Sequence, residues 1–139
     1  MAKIVLRDCS ITVDGVNLSD HAASVTINSE KDLVETTSFG ASSKSNLLGL
    51  GDATMEIDFH QDFAAASVDA TLWPIHQAGS VVPIVVKPTS AAVSATNPSY
   101  TMQSILPNFS PLAGSVGELS MTSVTFQNAS QSGIVRAIA

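Results

Sequence analysis

Residues 53–60 read ATMEIDFH, in which Met55, Ile57 and Phe59 alternate strictly with Glu56, Asp58 and His60. Only an extended strand puts successive side chains on opposite faces. The segment therefore demands a strand with one apolar face, which a second layer must cover, and one wet face. The wet face raises a question of chemistry, because two carboxylates, an imidazole and the nearby Asp62 suggest a metal site or an acid–base pair. Same-face neighbours along a strand stand about 6.5–7 Å apart, so they converge on one ion only with help from another segment. A zinc or non-haem iron site usually takes three protein ligands, at least two of them His or Cys. The chain has His21, His60, His76 and a single Cys9. His21, in NLSDHAAS, is the residue that strand pairing would have to bring to His60.

Other stretches carry the same period. ITVDGVNLS turns at Asp14-Gly15, a strong hairpin signal, with IVL before it as a further short β run. In HAASVTIN, Ala23, Val25 and Ile27 alternate with Ser24, Thr26 and Asn28, and LVETTSF at 33–39 is rich in β-branched residues. GASSKSNLLGLGD at 40–52 has no period and reads as a long loop with a task of its own. One helix is expected after Ser67, with Asp69 in its first turn and Gly79 past its end. Val68, Leu72, Trp73 and Ile75 would form its apolar side, and Pro74 predicts a kink or a helix in two parts. VVPIVV at 81–86 lacks polar alternation, so both of its faces should be covered. Strands follow at 100–106 and 118–127, the latter with its apolar set slipping from odd (Leu119, Met121) to even (Val124, Phe126), which predicts a bulge near Ser123. The tail SQSGIVRAIA ends apolar and should dock on something. Together these give one mainly antiparallel β domain over 1–139, a sandwich or barrel with one flanking helix.

Charge narrows the function. Only 13% of residues are charged, while 20 Ser and 11 Thr supply polarity. The net charge of −6 resides in residues 1–62; beyond them stand only Asp69, Lys87, Glu118 and Arg136. A long polar stretch with so few charges suits a surface that meets other subunits, where charges are depleted. Six bases against twelve acids, with no basic stripe, exclude nucleic-acid binding by attraction. An acidic surface does the opposite and lets a polyanion pass without sticking. No Gly-x-Ser-x-Gly, dinucleotide or P-loop pattern is present, and one Trp and one Tyr offer little surface for stacking sugars beside Glu56 and Asp58. Neither MAKIVLRDCS nor VVPIVV has the apolar length of a signal peptide or a membrane span, and the Asn-x-Ser matches at 17, 108 and 128 are read as chance. No catalytic residue, cofactor or metal is expected.

The ordered set ITVDGVNLSDHAASVTI, VETTSFG, GLGDATMEIDFHQDF, VDATLWPI, PIVVKPTSAAVSATNPSYT, PLAGSVGELSMTSVTF and SGIVRA resembles the tail tube (major tail) proteins of long-tailed bacteriophages, particularly those of actinobacterial phages. The resemblance spans nearly the whole chain. It implies a β-sandwich with one helix, assembled as homohexameric rings stacked into a tube. In such families a long loop and a terminal arm reach the next ring, and a generally acidic lumen carries a tape measure protein or DNA without sequence-specific binding. Carried onto this chain, the loop is 40–52, with Ser43, Lys44, Asn46, Leu47 and Leu48 as contact residues, and the arm is 128–139. Glu56 and Asp58 would face the lumen, along with Glu30, Asp32 and Glu35; His60 shares their face and dilutes its charge. The resemblance places the protein in the virion, made in the bacterial host cytoplasm, with no membrane partner. Two alternatives stay open: the inner tube of a contractile tail or injection system, and a non-polymerising β-sandwich binding module such as a capsid decoration protein.

Overall fold

The computed structural model describes residues 3–139. Its strands are β1 (Ser10–Val13), β2 (Val16–Asn17), β3 (Ala22–Glu35), β4 (Asn46–His60), β5 (Val82–Lys87), β6 (Ser99–Ile105), β7 (Met121–Asn128) and β8 (Ile134–Ala137), with one helix, α1 (Val68–Ala78), between β4 and β5. All pairings are antiparallel, in the order β2-β1-β5-β6-β7-β4-β3, and β8 lies on β6. The sheet turns a corner at β6. One edge of β6 pairs with β5, and the other is shared between β8, along Ser99–Met102, and β7, at Ser104 and Ile105 alone. The halves β3-β4-β7 and β2-β1-β5-β6-β8 fold onto each other as two layers. Met55, Ile57, Phe59, Val124 and Phe126 from the first meet Ile11, Val13, Ile84, Val86 and Met102 from the second in one core.

The strand parity of 53–60 is as the alternation requires. Met55, Ile57 and Phe59 are buried, and Glu56 is exposed. Asp14 and Gly15 both take positive φ, at 50° and 81°, and close the β1–β2 hairpin. The helix begins after Ser67 and stops at Gly79, whose φ of 64° is the left-handed cap that Gly adopts at no steric cost. Val68, Leu72 and Ile75 are its buried face. Trp73 lies on the solvent side, leaning on His76 and Phe109. The helix runs unbroken through Pro74, because Pro74 and Ala70 are both exposed. Water can satisfy the Ala70 carbonyl that a proline leaves without a donor.

Several local expectations are corrected. IVL at 4–6 is not a strand. AASVTIN and LVE belong to one 14-residue strand that starts at Ala22, His21 closing a 3-10 turn before it, and 36–45 is the connection. The segment 40–52 is a loop only up to residue 45, since β4 starts at Asn46 and pairs with β3 from Glu35 onward. Gly49 and Gly51 are what the close pairing requires here: a Cβ on Gly49 would lie 3.2 Å from that of Asp32, and one on Gly51 would lie 3.3 Å from the Glu30 carbonyl oxygen. β7 shows no bulge; its register against β4 is continuous from His60–Met121 to Thr54–Gln127. The odd–even slip arises because Leu119 precedes the strand and is exposed, while Thr122 takes the buried position and donates its hydroxyl to the Ser110 carbonyl at 2.9 Å. β5 buries one face fully, through Val82, Ile84 and Val86, and half-covers the other. Within 128–139, Ile134–Ala137 docks on β6 of its own chain.

Candidate functional site

The register of β3, β4 and β7 assembles one continuous polar face opposite the core. Across it stand Ser24–Asp58–Ser123, Thr26–Glu56–Thr125 and Asn28–Thr54–Gln127, with Glu30 opposite Asp52 at one end and His60 opposite Met121 at the other. This face carries the carboxylates of Glu30, Asp52, Glu56 and Asp58 and no Lys or Arg. The acids therefore form a row along the sheet, spaced by strand geometry, and they do not converge on a point.

Asp58 is the most firmly held of them. The Ser123 hydroxyl donates to Oδ1, and Ser24 donates to Oδ2 at 2.8 Å. Those two donors hold its carboxyl below the usual carboxylate range, so the charge persists into mild acid. Asp52, in the part of 40–52 that is strand and not loop, accepts from Gln127 Nε2 at 2.8 Å. Asp32 and Glu35 lie past a register shift between Lys31 and Leu33, where simple alternation no longer assigns a face; Glu35 pairs with Asn46. His60 is half-buried, and its Nδ1 is enclosed without a hydrogen-bond partner.

Strand pairing takes His21 elsewhere than to His60. Its Nε2 meets Asp62 Oδ2 at 2.8 Å, its Nδ1 meets Asp20 at 2.9 Å, and Ser67 Oγ stands 3.2 Å from Nε2. Ser, His and Asp in that order resemble a hydrolytic triad, but Nε2 shares its proton with Asp62 and is not free to act as a base toward Ser67. The cluster instead ties the entry of β3 to the segment between β4 and α1. Asp62 also accepts from the Ala64 N–H at 2.9 Å, and its carbonyl accepts from the Asp69 N–H at 3.1 Å. The hydrogen bond to Asp62 and the charge of Asp20 raise the His21 imidazole above its ordinary value; the Ala64 N–H and His21 lower Asp62. Among the described residues no group of three His, Cys, Asp or Glu is placed to hold a metal ion. Asp20 and Asp62 sit on different ring nitrogens of His21 and cannot share an ion with it.

The edges of the acidic sheet are open. β3 ends the strand order, so its 14 residues have one free edge, and β7 is unpaired by β6 over Met121–Phe126. Free edges of that length are templates for pairing with another chain. Large apolar side chains are exposed in several places, among them Ile4–Leu6, Val81 and the end of the chain at Val135 and Ile138. Leu33, Phe39, Leu47, Leu48 and Leu50 lie on the outer part of the β3–β4 hairpin, and Phe63, Leu112, Val116 and Leu119 lie near the far end of β4.

The fold so described is the tail-tube fold, a mainly antiparallel β structure with a single helix. The chain is similar to the SPP1 tail tube, with a TM-score of 0.78 at 10% identity over 99% of this chain and 80% of that one. It is similar to the tail of an empty gene transfer agent particle refined with C6 symmetry, with a TM-score of 0.65 at 14% identity over 86% and 82%. It is also similar to the sheath–tube complex of PVC, an extracellular contractile injection system, with a TM-score of 0.74 at 7% identity over 99% and 93%. No family model matches the chain, and neither does any curated protein.

Proposed function

We propose that the chain is a virion structural protein whose copies form homohexameric rings stacked into a phage tail tube, through which DNA passes without catalysis. The observation that carries this reading is the continuous acidic face of β3-β4-β7 between two open strand edges, on a tail-tube fold. Pairing the free edge of β3 with a neighbour's β7 would close that sheet into a barrel and remove both edges. The acidic face then lines the lumen, with Glu30, Asp52, Glu56 and Asp58 on its wall and Asp32, Glu35 and His60 toward its ends. A wall of like charge repels phosphate, so neither DNA nor a tape measure protein meets a point of adhesion. The hairpin loop, with Ser43, Lys44, Asn46, Leu47 and Leu48, reaches the adjoining ring, and the C-terminal segment supports the same seam. The protein is made in the host cytoplasm and resides in the virion.

Electron microscopy of the purified protein tests the reading. Hollow tubes or sixfold rings are expected; a strictly monomeric species at high concentration would contradict it. The likeness to PVC favours a second reading, the inner tube of a contractile system. Tubes that recruit a sheath protein on their outer surface would select it.

A further inference from the structure

The segment before β1 is a β-like run that the fold leaves unpaired. KIVLR at 3–7 alternates, with Lys3, Val5 and Arg7 on one parity and Ile4 and Leu6 on the other. It forms no strand, and Ile4, Val5 and Leu6 are 58%, 78% and 57% exposed. The chain is fixed just beyond it, because the Ser90 hydroxyl donates to the Asp8 carboxylate.

The free edge of β3 lies beside it. Leu6 and Arg7 form one wall of a cleft of about 280 Å³, and Ala22 to Val25, the start of β3, form another. β3 shifts register between Ala22 and Ser24 and then runs regularly to Lys31. Since Arg7 already stands at the start of β3, the residues before it can follow the edge only by running antiparallel to it. That register sets Arg7 opposite Ser24, Leu6 opposite Val25 and Ile4 opposite Ile27. The faces then match, where a slip of one residue would invert them. Leu6 and Ile4 join Val25 and Ile27, which pack on the core but are only half-buried. Lys3 and Arg7 fall on the acidic face, Arg7 one strand from Asp58, the partner of Ser24 in β4. Among the described residues, neither base has a carboxylate within ion-pair distance.

We propose that residues 3–7 are a strap that closes onto the free edge of β3 in the unassembled chain and must leave before a second copy can take that edge. The structure shows the open state, and closure adds one strand in cis. The closed strap covers an edge that would otherwise template pairing, and its two bases offset the acid row beside it. Its departure also takes Lys3 and Arg7 off the channel wall, where they would hold phosphate. The inference rests on the tail-tube reading and adds control over when the β3 edge becomes available.

The test is a disulfide lock in the full chain, with Cys9→Ser as background. Val5→Cys with Thr26→Cys, opposite each other in the closed register, should on oxidation of dilute protein give an intramolecular disulfide, seen by mass spectrometry as the loss of two hydrogens without dimers. The locked protein should form no tubes until a reductant is added. No such disulfide, disulfides between chains only, or locked protein that assembles as readily as the reduced form would each overturn the strap while leaving the tail-tube reading standing. Failure of the native chain and the Cys9→Ser parent to form rings or tubes would overturn that reading and the strap's role in assembly, and the disulfide in dilute protein would still decide the pairing. In parallel, deletion of Lys3–Arg7 should lower the concentration needed for tube growth about threefold to tenfold, as expected for losing a few cross-strand pairs. An unchanged or higher concentration contradicts the proposal.

Discussion

Phe59 and Asp58 are neighbours in sequence with opposite roles, and strand parity alone separates them. Phe59 is fully buried between the layers, so Phe59→Ala should cost about 3–5 kcal/mol of unfolding free energy. A denaturation midpoint unchanged from wild type would refute its place in the core. Asp58 carries charge on the opposite face, held ionised by Ser123 and Ser24. His21 adds a dependence on pH. Its folded pKa is raised above the ordinary 6.5, so its contribution is fully present below that value and is lost as pH rises through the folded one. The melting temperature of wild type should therefore exceed that of His21→Gln most clearly near pH 5.5, with the gap narrowing by about pH 9. A gap that does not change with pH would contradict the two-aspartate clamp. The alternation at 53–60 made Glu56, Asp58 and His60 legible as one face, but the role of His21 was not, because Asp62 lies 41 positions away and only the pairing of Ala22 with Phe59 brings it near.

Among the elements, legibility followed burial. The helix and its cap could be read because Val68, Leu72 and Ile75 must turn toward a core and Gly79 must stop the chain. In the outer half of the β3–β4 hairpin, Leu33–Glu35 could be read as strand but Asn46–Asp52 could not. Leu33, Leu47, Leu48 and Leu50 are all exposed, so no core selects one side, and Gly49 and Gly51 look like loop residues until their close approach to β3 is seen. That loss of pattern also hid Asp52 from the acidic row. The docking of the last strand was legible from its apolar end, but its partner was not, because an apolar tail says that it docks and not where. β8 covers the half of β6 that β7 leaves unpaired. Truncation after Gly133 should thus expose a β6 edge and lower stability by about 1–3 kcal/mol, measured by chemical denaturation. A truncated chain as stable as the full one would mean that β8 contributes nothing to the folded subunit.

At the scale of the whole molecule, the net charge of −6 and the acid row on one sheet oppose bringing copies together. Exposed strand edges and apolar ends favour it. Which of these wins should depend on salt, since the screening length falls from about 30 Å at 0.01 M to about 3 Å at 1 M. Wild-type assembly should strengthen as salt rises, because salt screens the repulsion of four carboxylates per copy. The double variant Glu56→Gln with Asp58→Asn should assemble at lower salt than wild type, as read by sedimentation, and equal salt profiles would argue that this face never meets its own kind. The most direct measurement is a cryo-electron microscopy reconstruction of assembled tubes. The account predicts that β3, β4 and β7 of every copy form the inner wall, with Glu56 and Asp58 pointing into the channel. A wall built from the β1-β5-β6 layer, or Glu56 and Asp58 on the outside of the tube, would contradict it.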